Sequence, residues 1–492
     1  MIRRISFLFV GLALASQSFA REEYTRTFDK TLALRNGQRV SLEHKLGDII
    51  IRTHPQQDVM IHADIRVSGS DTNQAKQFAD RLEILVEPSA SELSIRTRYP
   101  ETPRSSLGHN VSYCVRYEVT IPETAALQVR NSFGAVSVGG VKANSEITTS
   151  HGALEFRDGR GAQRLENSFA GVKVVNNVGD VTIQASNGGV DISDIAGAAT
   201  VRDRFASVTA ARVSKGLTVI NSNGAIQVTD SGGSGNIRNS FGGVTVHSFR
   251  GGLIVNNANG KVEAINVQGP AELNTSFGEV QFGDIGGPLS IRTSNSSVNG
   301  GKVDGPATIQ TSFGSVTVNG IQRGARIQSS NGSISIAKTR GECNVKTSFG
   351  TVHATDIGGP LLVENSNGAV KASNTKGAQV TTSFGPVILD GISGPIQVEN
   401  QNGAVEATSS SHGSCQPIVI RTSFSTLRVR LNPDASYRVA ARTSLGKIRT
   451  DFPLNVSGSI SSDDLNGTIG GGRCEMRLTN NNGAIEILKA SE

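Results

Sequence analysis

The fold is decided by Thr275-Ser276-Phe277-Gly278-Glu279-Val280-Gln281-Phe282-Gly283-Asp284-Ile285-Gly286-Gly287-Pro288-Leu289-Ser290-Ile291-Arg292-Thr293-Ser294-Asn295. After Gly278, Val280 and Phe282 alternate with polar residues, Ile285 follows, and Gly286-Gly287-Pro288 precedes Leu289 and Ile291. Apolar residues at period two between Gly-rich corners predict short strands rather than helices. Two short strands and two turns consume 18 residues, from Phe277 to Asn295.

The same phrase recurs outward in both directions, from Asn131 to Gly403. Phenylalanines stand at 133, 169, 205, 241, 277, 313, 349 and 384, in steps of 36 residues except for a last step of 35. Midway between them the phrase returns with asparagine in the aromatic place, as at Asn187, Asn223, Asn259, Asn331, Asn367 and Asn402. A fixed short period marks a solenoid, whose units cannot bury their apolar faces alone and hold only as a stack. The expectation is an all-β chain: a parallel β-solenoid, or single-stranded β-helix, with about 18 residues per coil and laps about 4.8 Å apart. A 36-residue lap with two similar halves would give the same spacing; 18 is preferred because each half already holds two strands and two turns.

Two places before the Phe/Asn site the chain offers Asn131, Asn167, Asn239, Asn257, Thr275 and Thr311, with Ser usually next. Such columns predict small polar side chains bonding up and down the stack, as Asn ladders do in cross-β packing. The Gly after the site supplies the positive φ of a tight corner. The aromatic column, Phe133, Phe169, Phe241, Phe277, Phe313, Phe349 and Phe384, has two readings. It faces outward as an apolar stripe with a ring every two laps, about 10 Å apart, or each ring folds over the small Asn of the next lap and closes the corner.

Residues 1–20 read as a secretory signal peptide: Arg3 and Arg4, an apolar stretch from Ile5 to Ala15, and Ser18-Phe19-Ala20 as a small-residue cleavage site. That stretch is too short to span a bilayer, and no Cys follows to accept a lipid. Cleavage would lower the formal charge from +6 to +4 by removing the two arginines. Residues 21–125 read as a β-rich N-terminal cap with the first coils. Leu46-Gly47-Asp48-Ile49-Ile50-Ile51 repeats the later grammar with Leu in the aromatic place, and Val111 to Ile121 predicts a long strand stopped by Pro122. Asp71 to Leu82, with Ala75, Phe78, Ala79 and Leu82 on one face, predicts one short helix. Residues 126–407 form the regular repeats. Residues 408–492 read as irregular final coils and a C-terminal cap, with laps running on through Thr443-Ser444-Leu445-Gly446 and ending at Asn480 to Ile487.

The chain has 56 Gly, no Trp and 18% charged residues, as a turn-rich β stack requires. An isoelectric point near 9.2 permits weak attraction to anionic surfaces. Basic and acidic residues intermingle, so no nucleic-acid stripe is expected. Four cysteines in an exported chain allow three full pairings. A Cys415–Cys474 bond would staple a loop near the end cap; four free thiols are the alternative. No C-x-x-C, Walker loop, nucleophile elbow or zinc-helix motif occurs, so no metal, cofactor or catalytic residue is assigned. His247 and His353 lie six laps apart, about 29 Å. Asp194, Asp284 and Asp356 share a column but stand about 24 and 19 Å apart. Paired carboxylates for glycoside hydrolysis lie within about 10 Å, which leaves Asp356 and Asp390, with Lys371 or Lys376, as the seed of an alternative reading: a polysaccharide lyase or hydrolase.

The export signal, Leu46-Gly47-Asp48-Ile49-Ile50-Ile51, the strand ending Val119-Thr120-Ile121-Pro122, and the Ser-Asn-Gly-x-Val/Ile laps together resemble the bacterial putative-adhesin family of exported β-solenoid domains. The resemblance covers most of the mature chain. This chain departs in its length and its regular Phe/Asn alternation, and the family has no catalytic residues to carry over. The resemblance implies an exported, non-enzymatic envelope or surface protein, in the periplasm, at the cell surface or outside the cell. Its partner would be a surface glycan or protein, or another copy of itself.

Overall fold

The computed structural model of the protein describes residues 22–69, 71–100, 111–410, 415–456 and 461–490. The signal peptide read in residues 1–20 and His412 lie outside them. The chain divides into two compact units, 1–143 with 147–152, and 144–146 with 153–492.

In the second unit every lap contributes one strand to each of two parallel sheets. Ala271–Phe277 pairs with Leu253–Asn259 on one side and Leu289–Asn295 on the other, and Val280–Ile285 pairs with Val262–Val267 and Val298–Val303. Phe277 lies in register with Asn259 and with Asn295, each 18 residues away. One coil therefore holds about 18 residues, as the preferred reading of the repeat required.

The period-two pattern is visible as burial: Ala271, Leu273, Val280, Phe282 and Ile285 all point into the stack. The three-residue step from Phe282 to Ile285 has a backbone cause. Asp284 adopts a left-handed conformation with φ 53°, inserting an extra residue that returns Ile285 to the core. This kink recurs on lap after lap, at Asp158, Asn176, Asp194, Arg212, Asp230, Ser248 and Asn266 before it and Lys302, Lys338, Asp356 and Asn374 after it. Asn and Asp tolerate that conformation best among residues with a Cβ, which accounts for their frequency in the column.

The core is narrow, so a large ring needs an absent side chain opposite it. Phe282 is in register with Gly300, where a Cβ would come within 2.7 Å of the ring. Phe249 meets Gly235 in the same way, again at 2.7 Å. The corner glycines obey a stricter rule. Gly278 has φ 109°, and a Cβ there would stand 2.3 Å from the carbonyl oxygen of Gly260 on the preceding lap.

At the C-terminal end the stacking order departs from the chain order. Ile396–Asn402 pairs with Ile418–Phe424, which pairs with Cys474–Asn482, which in turn pairs with Tyr437–Leu445. The last lap is inserted between two earlier ones, correcting the expectation of sequential laps. The reason is edge protection: Tyr437–Leu445 is covered on its free side by Asp464–Ile469 running antiparallel, which is backed in turn by Asn455–Val456. Cys415 and Cys474 are joined by a disulfide across 59 residues of chain, tying together two laps that are adjacent in the stack.

The first unit combines coils with an antiparallel cap. Arg39–Leu46 pairs in parallel with Leu127–Phe133, placing Leu46 opposite Phe133, and Ile49–His54 pairs with Val136–Gly139. The other edge of Arg39–Leu46 takes Glu92–Arg98, which is backed antiparallel by Glu83–Pro88. Ser112–Pro122 runs beside Ile49–His54 and then antiparallel to Asp58–Gly69, which pairs with Glu22–Ala33. The helix spans Thr72–Arg81. Asp71 caps it by accepting from the backbone N–H of Gln74 at 2.8 Å, and Ala75, Phe78 and Ala79 are buried.

Candidate binding edge

The edge is built on the polar column two residues before the aromatic site. Asn257 is buried, and its Nδ2 donates to the carbonyl of Gly242 on the preceding lap at 3.1 Å and to that of Gly260 on its own lap at 3.0 Å. Asn239 does the same with Gly224 (3.0 Å) and Gly242 (3.2 Å), and Asn400 with Gly385 and Gly403 (both 3.1 Å). Threonine reaches less far: Thr275 Oγ1 donates to the carbonyl of Phe277 at 3.0 Å. These side chains bind corner carbonyls, not one another, which corrects the expected Asn ladder. A corner turning through positive φ points its carbonyls inward, and a buried carbonyl without a donor is costly.

On this braced corner the phenylalanines are displayed. From Phe169 to Phe424 in the second unit, including Phe241, Phe277, Phe313, Phe349 and Phe384, their exposure runs from 49% to 62%. The corner is therefore not closed over the rings, and the outward reading holds. From Phe241 to Phe384 each ring has Asn in register on both neighbouring laps, as Phe313 has Asn295 and Asn331, so rings recur every second lap, about 9.6 Å apart. Three of the intervening asparagines are held back: Asn187, Asn223 and Asn259 donate to the carbonyls of Ser168 (2.9 Å), Arg204 (3.1 Å) and Ser240 (3.3 Å) one lap earlier. The gaps above these three thus stay open. Phe133, in the first unit, differs: its ring stacks on His151 with centroids 4.5 Å apart and planes 17° from parallel.

The residues of the alternative enzymatic reading are placed otherwise. Asp356 is exposed at a left-handed kink and accepts from Asn374 Nδ2 at 3.0 Å. Asp390 is exposed and in register with Ser373, one column away, because Gly391 takes the kink position on that lap. Lys371 lies on the outer face in register with His353, and Lys376 follows in the next corner. These groups stand in open solvent on different columns. Asp194 and Asp284 are each paired within the kink column, with Arg212 at 2.6 Å and Lys302 at 3.2 Å, and the Arg212 guanidinium holds the Asp194 carboxyl below its usual range. His247 bonds Glu263 on the next lap at 2.8 Å. Among the described residues, no group of three or more His, Cys, Asp or Glu is arranged to hold a metal ion, and no helix is long and apolar enough to cross a membrane.

The kink column and the inserted last lap escaped the sequence. The first had a signal, the three-residue step from the second to the third buried residue of each lap; the second had none. A shallow groove on the outer face of the second unit, lined by Asn236, Ile254, Pro270, Glu272, Pro288 and Arg292, was also unforeseen.

Fold and edge together define the class: a repeat protein of parallel β-solenoid type that displays a periodic aromatic edge. No protein-family model matches the chain, and no curated protein matches it. Among solved structures it is similar to a crystal structure of a putative cell adhesion protein from Clostridium sporogenes ATCC 15579, at 8% sequence identity and a TM-score of 0.15, over 94% of this chain and 100% of that one. At that score the likeness bears on neither fold nor function here.

Proposed function

We propose that this chain is an exported, non-enzymatic protein of the cell envelope or surface that binds a macromolecule, glycan or protein, along its phenylalanine edge. One observation carries the reading: half-exposed rings at a fixed spacing on a braced corner. Exposed aromatics are costly to leave in water and concentrate at binding surfaces. The rings leave about half of their surface in water, and the polar column braces corners that carry no ring in the same way, as Asn257 does on the lap of Asn259.

The test is binding of the chain lacking residues 1–20 to an array of glycans, peptidoglycan and matrix proteins, beside the variant Phe277→Ser/Phe313→Ser/Phe349→Ser. Saturable binding that the folded variant loses supports the reading. Binding retained in full by a variant with unchanged far-ultraviolet dichroism overturns the assignment to this edge, and turnover of an anionic glycan would overturn the non-enzymatic role.

A further inference from the structure

We propose that the phenylalanine edge is self-complementary and that its occupant is a second copy of this chain, docked antiparallel with the two edges interdigitated. The proposal rests on the binding role of the edge and names the partner. Rings and Asn-floored gaps alternate at one-lap steps, so the edge is its own template displaced by one lap. A two-fold axis perpendicular to the stack, passing between a Phe lap and the adjacent Asn lap, carries every ring of one copy over a gap of the other. Such an interface is isologous and closes as a dimer.

The dimensions agree. A partner ring seated over Asn295 lies about 4.8 Å along the axis from Phe277 and from Phe313, inside the range of about 4.5–7 Å that aromatic pairs prefer. Eight rings line the edge from Phe169 to Phe424, each about half exposed. At roughly 100 Å² of exposed ring apiece, they offer about 800 Å² per copy, the size of one side of a standard stable interface. The flanking columns fit close approach as well. One residue before the aromatic place stand Ser240, Ser276, Ser312 and Ser348, and one residue after it the corner glycines. Arg204 is the one charge in the preceding column between Ser168 and Ser423. Aromatic enrichment with charge depletion is the composition of an interface centre. A chain of net positive charge gains from keeping like charges out of a contact with itself.

The experiment is sedimentation velocity over a wide concentration range on the chain lacking residues 1–20, with two variants. Phe277→Ser/Phe313→Ser/Phe349→Ser removes knobs; Asn295→Asp/Asn331→Asp leaves every ring in place and puts a carboxylate on the floor of two gaps. The wild type is expected to dimerise, and each variant to weaken the dimer roughly a hundredfold or more, as loss of central anchors does. Should the serine variant lose its β dichroism, the aspartate variant decides alone. A dimer undiminished in a folded variant overturns the proposal. So does a wild type that stays monomeric; if that monomer still shows ring-dependent binding on the array, the binding role stands and only the partner is wrong, and if it binds nothing, both fail.

Discussion

Replacing Asn257 by alanine tests whether the polar column holds the corners in the manner described. The amide makes two hydrogen bonds, to Gly242 at 3.1 Å and to Gly260 at 3.0 Å, and the Gly242 carbonyl is shared with Asn239 at 3.2 Å. At about 1 kcal/mol net for each bond, the loss is about 2 kcal/mol, roughly a 30-fold change in local opening. Coupling in a solenoid runs between neighbours, so the effect is confined to the laps in contact with residue 257. Hydrogen exchange read by mass spectrometry is the assay. Amides in Ser234–Phe241, Leu253–Asn259 and Ala271–Phe277 should exchange faster, while those in Leu361–Asn367 stay unchanged. Asn257→Thr should recover about half the loss, because a threonine in this column serves the carbonyl of its own lap, as Thr275 does with Phe277, but not that of the lap before. Uniform acceleration along the chain, or none near residue 257, would refute the reasoning.

Two further outcomes follow from other parts of the structure. Reducing the Cys415–Cys474 bond releases a closed loop of 59 residues, worth about 4 kcal/mol in the chain-entropy picture; exchange should quicken in Ile418–Phe424 and Cys474–Asn482 and nowhere else, and Cys415→Ser/Cys474→Ser should reproduce it. In the first unit, burial lowers His44 from 6.5 to about 4. Because the folded value lies below the unfolded one, the unfolded chain binds the extra proton between those values. Stability therefore falls as pH drops through that window, by roughly 3 kcal/mol in full. With no Trp in the chain, fluorescence from Tyr99, Tyr113 and Tyr117 around this site reports it. The urea midpoint should fall between pH 7 and pH 4.5 in the wild type and lose that slope in His44→Gln; an unchanged slope would show that another group titrates.

Much of the solenoid was legible because its period is a property of the chain. An inward residue must recur wherever a lap recurs, so Val280 predicts Val298 and Val316, and Gly278 predicts Gly260, although Ala206 and Ser296 hold the same corner place on other laps. The helix at Thr72–Arg81 was legible for a local reason, the cap at Asp71 together with Ala75, Phe78 and Ala79 on one face. The aromatic column could be located but not oriented. Whether Phe277 covered its neighbour or faced water depended on where Asn259 goes, and its amide reaches back to the carbonyl of Ser240, 19 residues away.

The amino-acid sequence was enough to establish the repeat, its 18-residue period, the strand and corner positions and the alternation of Phe with Asn, since each is written in spacing along the chain and enforced by local sterics, whereas strand register decided that one period is one coil. The stack itself settled the rest: that Asn257 braces corners instead of bonding to its own column, that Asp356 and Asp390 fall on different columns, and that Cys474–Asn482 slips between Ile418–Phe424 and Tyr437–Leu445. Those outcomes turn on which laps meet and how closely. A lap has no stable surface until a neighbour buries it, so the choice of neighbour belongs to the assembled stack.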